Sequence, residues 1–147
     1  MSVLFGFACS SLLFSLRDWV DFREEIKTHH ALLFVTPEYN RSIPAALKNA
    51  LDVGSRPYGQ SVLSHKPGAV VSASTSALGG ALAHHHLRQV LTGCNVPTLQ
   101  HPEMYIAAGN LFGADGKLKP EAEGTKKYFA TFGRAVLEHI SLLLHKH

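Results

Sequence analysis

The sequence predicts a single α/β domain, a doubly wound parallel sheet with helices layered on both faces. Two observations carry that expectation. Short apolar runs of strand length, Ala31-Leu32-Leu33-Phe34-Val35 and Ala69-Val70-Val71-Ser72-Ala73, alternate with longer stretches of helical period. The first run is polar on neither face, and burial on both sides is the habit of parallel strands covered by helices. A third observation sets the scale. The 147 residues suit one domain, residues 1–147, and a chain of that length buries roughly 68–70% of its unfolded surface without needing a disulfide or metal.

The elements follow in order. After the first run, Pro37 closes the strand, Ser42 offers an N-cap hydroxyl and Pro44 sits in the first turn, where its missing N–H costs nothing. Ile43, Leu47, Ala50, Leu51 and Gly54 recur at helical spacing, so a helix is expected over 43–54. Pro57, Tyr58 and Gly59 mark a loop. The second strand, 69–73, leads into a loop of small residues, 74–80, and then a helix over 81–92. Leu82, Leu87, Val90 and Leu91 are its candidates for the core. A short third strand is expected over 95–99, followed by an irregular stretch around Gly109, Gly113 and Gly116. From Glu121 a long helix carries Phe129, Phe132, Val136, Ile140 and Leu143 at steps of three and four. In open α/β sheets ligands bind beyond the carboxyl ends of the strands, so function is expected in the loops 36–42 and 74–80.

Composition excludes several classes. Charged residues make up 17%, and 14 basic face 11 acidic residues with no more than two basic residues adjacent, which argues against a nucleic-acid partner. The apolar stretch 3–16 is interrupted by Gly6, Ser10, Ser11 and Ser15 and falls short of the roughly 17–25 residues of a membrane span. It also lacks the basic start and small-residue exit of a secretory signal. Cys9 and Cys94 are the two cysteines, far apart, which suits a reducing compartment; a soluble, cytoplasmic protein with no membrane association is expected. His84-His85-His86 invites a metal reading, but neighbours on a helix point about 100° apart and cannot share one ion. That helix is expected to turn its histidines to solvent or a neighbouring subunit, and no metal site is expected.

Val35-Thr36-Pro37-Glu38-Tyr39-Asn40-Arg41-Ser42-Ile43-Pro44, with Leu47-Lys48-Asn49 and Asp52, resembles the signature of NADPH-dependent FMN reductases. Gly79-Gly80 followed by His86-Leu87-Arg88-Gln89-Val90-Leu91 is similar to that family's second loop and helix. The likeness spans roughly residues 20–145. It implies a flavodoxin-like, three-layer α/β/α fold, FMN as cofactor and NADPH or NADH as hydride source. The electrons would pass to a quinone, azo compound, metal oxyanion or flavin. The cofactor-binding residues it implies are Pro37, Glu38, Tyr39, Asn40, Ser74, Thr75, Leu78, Gly79 and Gly80, with Arg41 and Ser42 at a subunit contact of a homodimer or homotetramer.

The chemistry of the loops agrees. A flavin ring is flat, apolar on its faces and polar at its edges. Pro37 breaks the strand so that residues 38–40 leave the sheet with backbone groups free to bind, and Tyr39 adds an aromatic wall. Gly79 and Gly80 allow close backbone approach and open a helix whose positive end suits an electron-rich ring edge. Hydride transfer is the cofactor's chemistry, so no catalytic side chain is expected.

Two features depart from the family. Its G-S-x-R-x-x-S phosphate loop is absent from residues 1–18, as though part of the N-terminal βαβ were lost, and residues 20–27 resemble the helix before the family's third strand. Residues 3–8 are apolar enough to refill the first strand's slot, which would set Ser10 and Ser11 at a helix start as a phosphate site. Where relatives carry Pro-Gly or Met-Gly, this chain has Thr75-Ser76. Weak flavin binding with little preference for FMN over riboflavin is the expectation. The rival is a shortened, flavin-free paralogue serving as a structural or interaction subunit.

Overall fold

The apolar runs assemble into a parallel sheet. The computed structural model describes residues 3–5 and 16–145. Its strands are β1 (Val3–Phe5), β2 (Ala31–Pro37), β3 (Gly68–Ser74) and β4 (Met104–Ala107), all parallel and ordered β1-β2-β3-β4. Val3 lies opposite Ala31, Leu33 opposite Ala69, and Val71 opposite Met104. The slot expected for residues 3–8 is therefore filled by Val3–Phe5. Ser10 and Ser11, the candidate phosphate residues, lie outside the described residues.

Alternate strand residues face opposite layers, as the period of two requires. Leu32, Phe34 and Val70 pack against Ile26 of α1 (Leu16–Thr28), Leu47 and Leu51 of α2 (Ala45–Gly54), and Leu87 and Leu91 of α3 (Ala81–Gly93). Ala69, Val71 and Met104 meet Phe132 of α4 (Glu123–Leu144) on the other face. Each fully buried leucine contributes about 1.5–3 kcal/mol through apolar area withdrawn from water. The two-sided burial holds along β3 and loosens in β2, where Val35 remains 40% exposed. A further tie joins α1 to α2. The Arg23 guanidinium donates to the carbonyls of Val53 and Gly54, where α2 ends, and to that of Gln60 in the loop beyond. No helix among the described residues is long and apolar enough to cross a membrane.

Three sequence expectations need correction. The strand expected over 95–99 is a connection that touches the sheet through one bridge, Thr98 to Gly68. Pro97 cannot donate to a ladder, and the strand starts only after Pro102, at Met104. The helix expected from 43 starts at Ala45 with Pro44 as N-cap, and no side-chain oxygen caps it; the Ser42 hydroxyl is used elsewhere. Leu82 is exposed, and the interior position on that helix belongs to His84. The terminal helix begins at Glu123, and it buries Phe132 and Ile140 as its spacing predicts.

Candidate functional site

β2 and β3 end side by side, with Pro37 opposite Ala73, so the loops that follow them share one end of the sheet. The first loop is a tight hairpin. Tyr39 and Ser42 exchange backbone hydrogen bonds of 2.8 and 2.9 Å across Asn40 and Arg41. Both central residues have positive φ, 50° at Asn40 and 64° at Arg41, the pattern of a type I′ turn. Asparagine tolerates that region. Arginine does not, and a non-glycine residue there costs roughly 1–2 kcal/mol.

Among the described residues, three long-range contacts hold the hairpin in place. Glu38 N–H donates to the Ala73 carbonyl at 3.3 Å, and Ser42 Oγ lies 2.7 Å from His86 Nδ1 on α3. The Glu38 carboxylate accepts from the Ala83 N–H at 3.1 Å, in the first turn of α3. This revises the expectation for that helix end. Its positive end is met in part by the chain's own carboxylate, an interaction worth roughly 0.3–1 kcal/mol at a partly exposed site.

The second loop turns back on the strands. Ser76 N–H donates to Ser74 Oγ, and Gly79 N–H to the Ser76 carbonyl. Gly79 and Gly80 have φ of 59° and 81°. A Cβ on Gly79 would stand 2.8 Å from Ile106 N, and one on Gly80 would stand 3.1 Å from Ser72 Cβ. The close approach foreseen for these glycines is thus an approach to β4 and β3, and the fold itself requires it. Thr75 and Leu78 are exposed, as is Tyr39 on the first loop. The N–H groups of Asn40, Ala77 and Leu78 have no partner among the described residues. The structure thus brings Pro37, Glu38, Tyr39 and Asn40 together with Ser74, Thr75, Leu78, Gly79 and Gly80. Arg41 is solvent-exposed, while the Ser42 hydroxyl faces His86 on α3.

Behind the second loop lies a polar cluster that sequence reasoning missed. His84 is 1% exposed, contrary to the expectation that its helix turns the histidines outward. Neither ring nitrogen has a hydrogen-bond partner among the described residues. Its ring stands edge-on to Tyr105, with centroids 4.8 Å apart and planes at 88°. Burial, aided by the nearby Arg88 charge, lowers its pKa to about 4. Tyr105 donates to the Glu103 carboxylate and lies 3.1 Å from His85 Nε2. Burial and that carboxylate push the Tyr105 hydroxyl up to about 12, and the same hydrogen bond holds Glu103 below the usual carboxylate range. The signal existed in the sequence, because 84, 87 and 91 lie on one helical stripe with Leu87 and Leu91.

A parallel α/β sheet with paired carboxyl-end loops, carrying an aromatic side chain and unspent backbone donors, defines a flavodoxin-like protein. Solved structures agree: a cysteine-to-alanine mutant of the flavodoxin of Pseudomonas aeruginosa has this fold at 18% identity, a TM-score of 0.51 and coverage of 84% of this chain and 73% of its own. The chain belongs to the NADPH-dependent FMN reductase family, whose family model matches residues 12–110. It is 58% identical over 101 residues to a quinone reductase of Pseudomonas putida, covering 68% of this chain and 54% of that protein. It resembles FerB, a flavoenzyme NAD(P)H:(acceptor) oxidoreductase from Paracoccus denitrificans, at 34% identity and a TM-score of 0.78, over 86% of this chain and 69% of that one. The chain spans about half the length of the curated quinone reductases it matches.

Proposed function

We propose that the chain acts in an NAD(P)H-dependent flavoprotein reductase, holding FMN between the loops 37–42 and 74–80 and passing electrons to a small-molecule acceptor of the quinone class. The observation that carries this reading is the meeting of the two loops at one end of the sheet, fastened by the Glu38 contact to Ala83. The residues there fit a flavin ring. Exposed Tyr39 and Leu78 offer apolar surface for its faces. The free N–H groups of Asn40, Ala77 and Leu78 suit the acceptor atoms along its edge. A flavin bound there would supply the two-electron chemistry. The protein's part is to bind, orient and shield, and none of Pro37, Glu38, Tyr39, Asn40 or Gly79 need exchange a proton. The family resemblance and the quinone reductase relative support the choice of acceptor.

The test follows NADH or NADPH oxidation by the purified chain with FMN supplied, with and without a benzoquinone acceptor. Quinone-dependent turnover that requires both FMN and protein is the expected result. Turnover equal to that of free FMN would leave the flavin-free subunit as the better reading. The exposed Leu137 and Leu144, seven residues apart on α4, support self-association into a homodimer or larger. Sedimentation at tens of micromolar reads that directly, and a monomer alone would contradict it.

A further inference from the structure

The hairpin after β2 is held in a conformation that one of its two central residues, Arg41, disfavours. Arg41 sits at a φ of 64° beside Asn40 at 50°, and two backbone hydrogen bonds between Tyr39 and Ser42 close the turn. Such a turn persists when its surroundings over-determine it. The surrounding contact at the far end of the turn is the 2.7 Å approach of Ser42 Oγ to His86 Nδ1, which bridges 44 residues of sequence. His86 is exposed, on the side of α3 away from the buried stripe of Ala83, Leu87 and Leu91. His86 thus lies outside the residues that this helix buries against the sheet. The near end is already fastened through Glu38 to Ala83.

We propose that His86 is a positioning residue, which through Ser42 holds the 38–42 hairpin in the shape that presents Tyr39 and the Asn40 N–H to a flavin ring. This deepens the proposed function and rests on it. When the contact is lost, the near end stays attached while the turn relaxes toward conformations that Arg41 prefers. The donors then spread over several orientations, and binding must restore the one that works.

The test compares Ser42→Ala, His86→Ala, their double variant and His86→Asn. Asparagine can place a hydrogen-bonding atom near the position of the imidazole Nδ1. Two quantities are read: hydrogen exchange of the Ser42 amide in the protein alone, and FMN affinity by fluorescence. Each alanine variant should speed that exchange and weaken FMN about threefold to tenfold, the range set by one hydrogen bond. The double variant should be no weaker than either single variant, and His86→Asn should recover most of the loss. Unchanged exchange and affinity, or single effects that multiply in the double variant, would overturn the proposal. If the unaltered chain takes up no FMN, the flavin reading fails on its own. Ser42 exchange then decides the hairpin contact separately, with acceleration in both alanine variants upholding the hold on the hairpin and equal rates refuting it.

Discussion

Gly79→Ala should destabilise the protein by about 2–5 kcal/mol. The residue has a φ of 59°, and a side chain in the left-handed region costs roughly 1–2 kcal/mol. The added methyl would also stand 2.8 Å from Ile106 N and 2.9 Å from the Tyr105 carbonyl carbon. Those are backbone atoms of β4 that cannot rotate away, so the loop must shift, and forced repacking of this kind typically costs about 1–3 kcal/mol. Gly59→Ala separates the two causes, because Gly59 has a φ of 78° and no atom of the described residues within 4 Å of the added methyl. Denaturant titration of both should place Gly59→Ala near the conformational cost alone. Equal losses would show that contact with β4 contributes nothing. Since the shift displaces the 74–80 loop from β4, flavin binding should fall in Gly79→Ala and stay unchanged in Gly59→Ala.

Stability should fall by about 3 kcal/mol as the pH drops from 6.5 to 4, through His84 alone. Its folded pKa of about 4 lies below the ordinary 6.5, so the unfolded chain takes up the proton first. The contribution is complete above 6.5 and is lost as pH falls towards about 4, at roughly 1.4 kcal/mol per unit. Burial is the main cause, the Arg88 and His85 charges add to it, and Glu103 opposes it. His84→Leu should flatten this acid limb. At neutral pH the same change should hold or raise the melting temperature, since it removes two buried nitrogens without partners among the described residues. Thermal melts at several pH values measure both. An acid limb of unchanged slope in the variant would assign the loss to other groups.

The central strands were legible because residues 31–35 are apolar on both faces and residues 69–73 break that pattern only with the small Ser72, and few other arrangements bury such runs. The loops were legible from Pro37, which stops a strand, and from Gly79-Gly80, which only a reversed backbone favours. β4 was not, since Met104–Ala107 is brief and lies at the edge of the described sheet, while Val96 and Leu99 mimic a strand around Pro97. His84 was misread because three consecutive histidines look like a polar face, although their helix buries one of them. The contacts of Glu38 with Ala83 and Ser42 with His86 span 45 and 44 residues, and no local pattern announces either.

The proposed function stands or falls on whether residues 37–42 and 74–80 grip a flavin by its ring. Fluorescence titration of the purified chain with FMN and with riboflavin tests that most directly, because the two ligands share the ring and differ in the phosphate. Each hydrogen bond to a charged phosphate is worth about 1.5–3 kcal/mol, so even one such bond would separate the ligands by roughly tenfold or more. Saturable quenching of both, with dissociation constants within about tenfold of each other, is the expected result. Absence of saturation with either ligand, or a preference for FMN of two orders of magnitude or more, would contradict it.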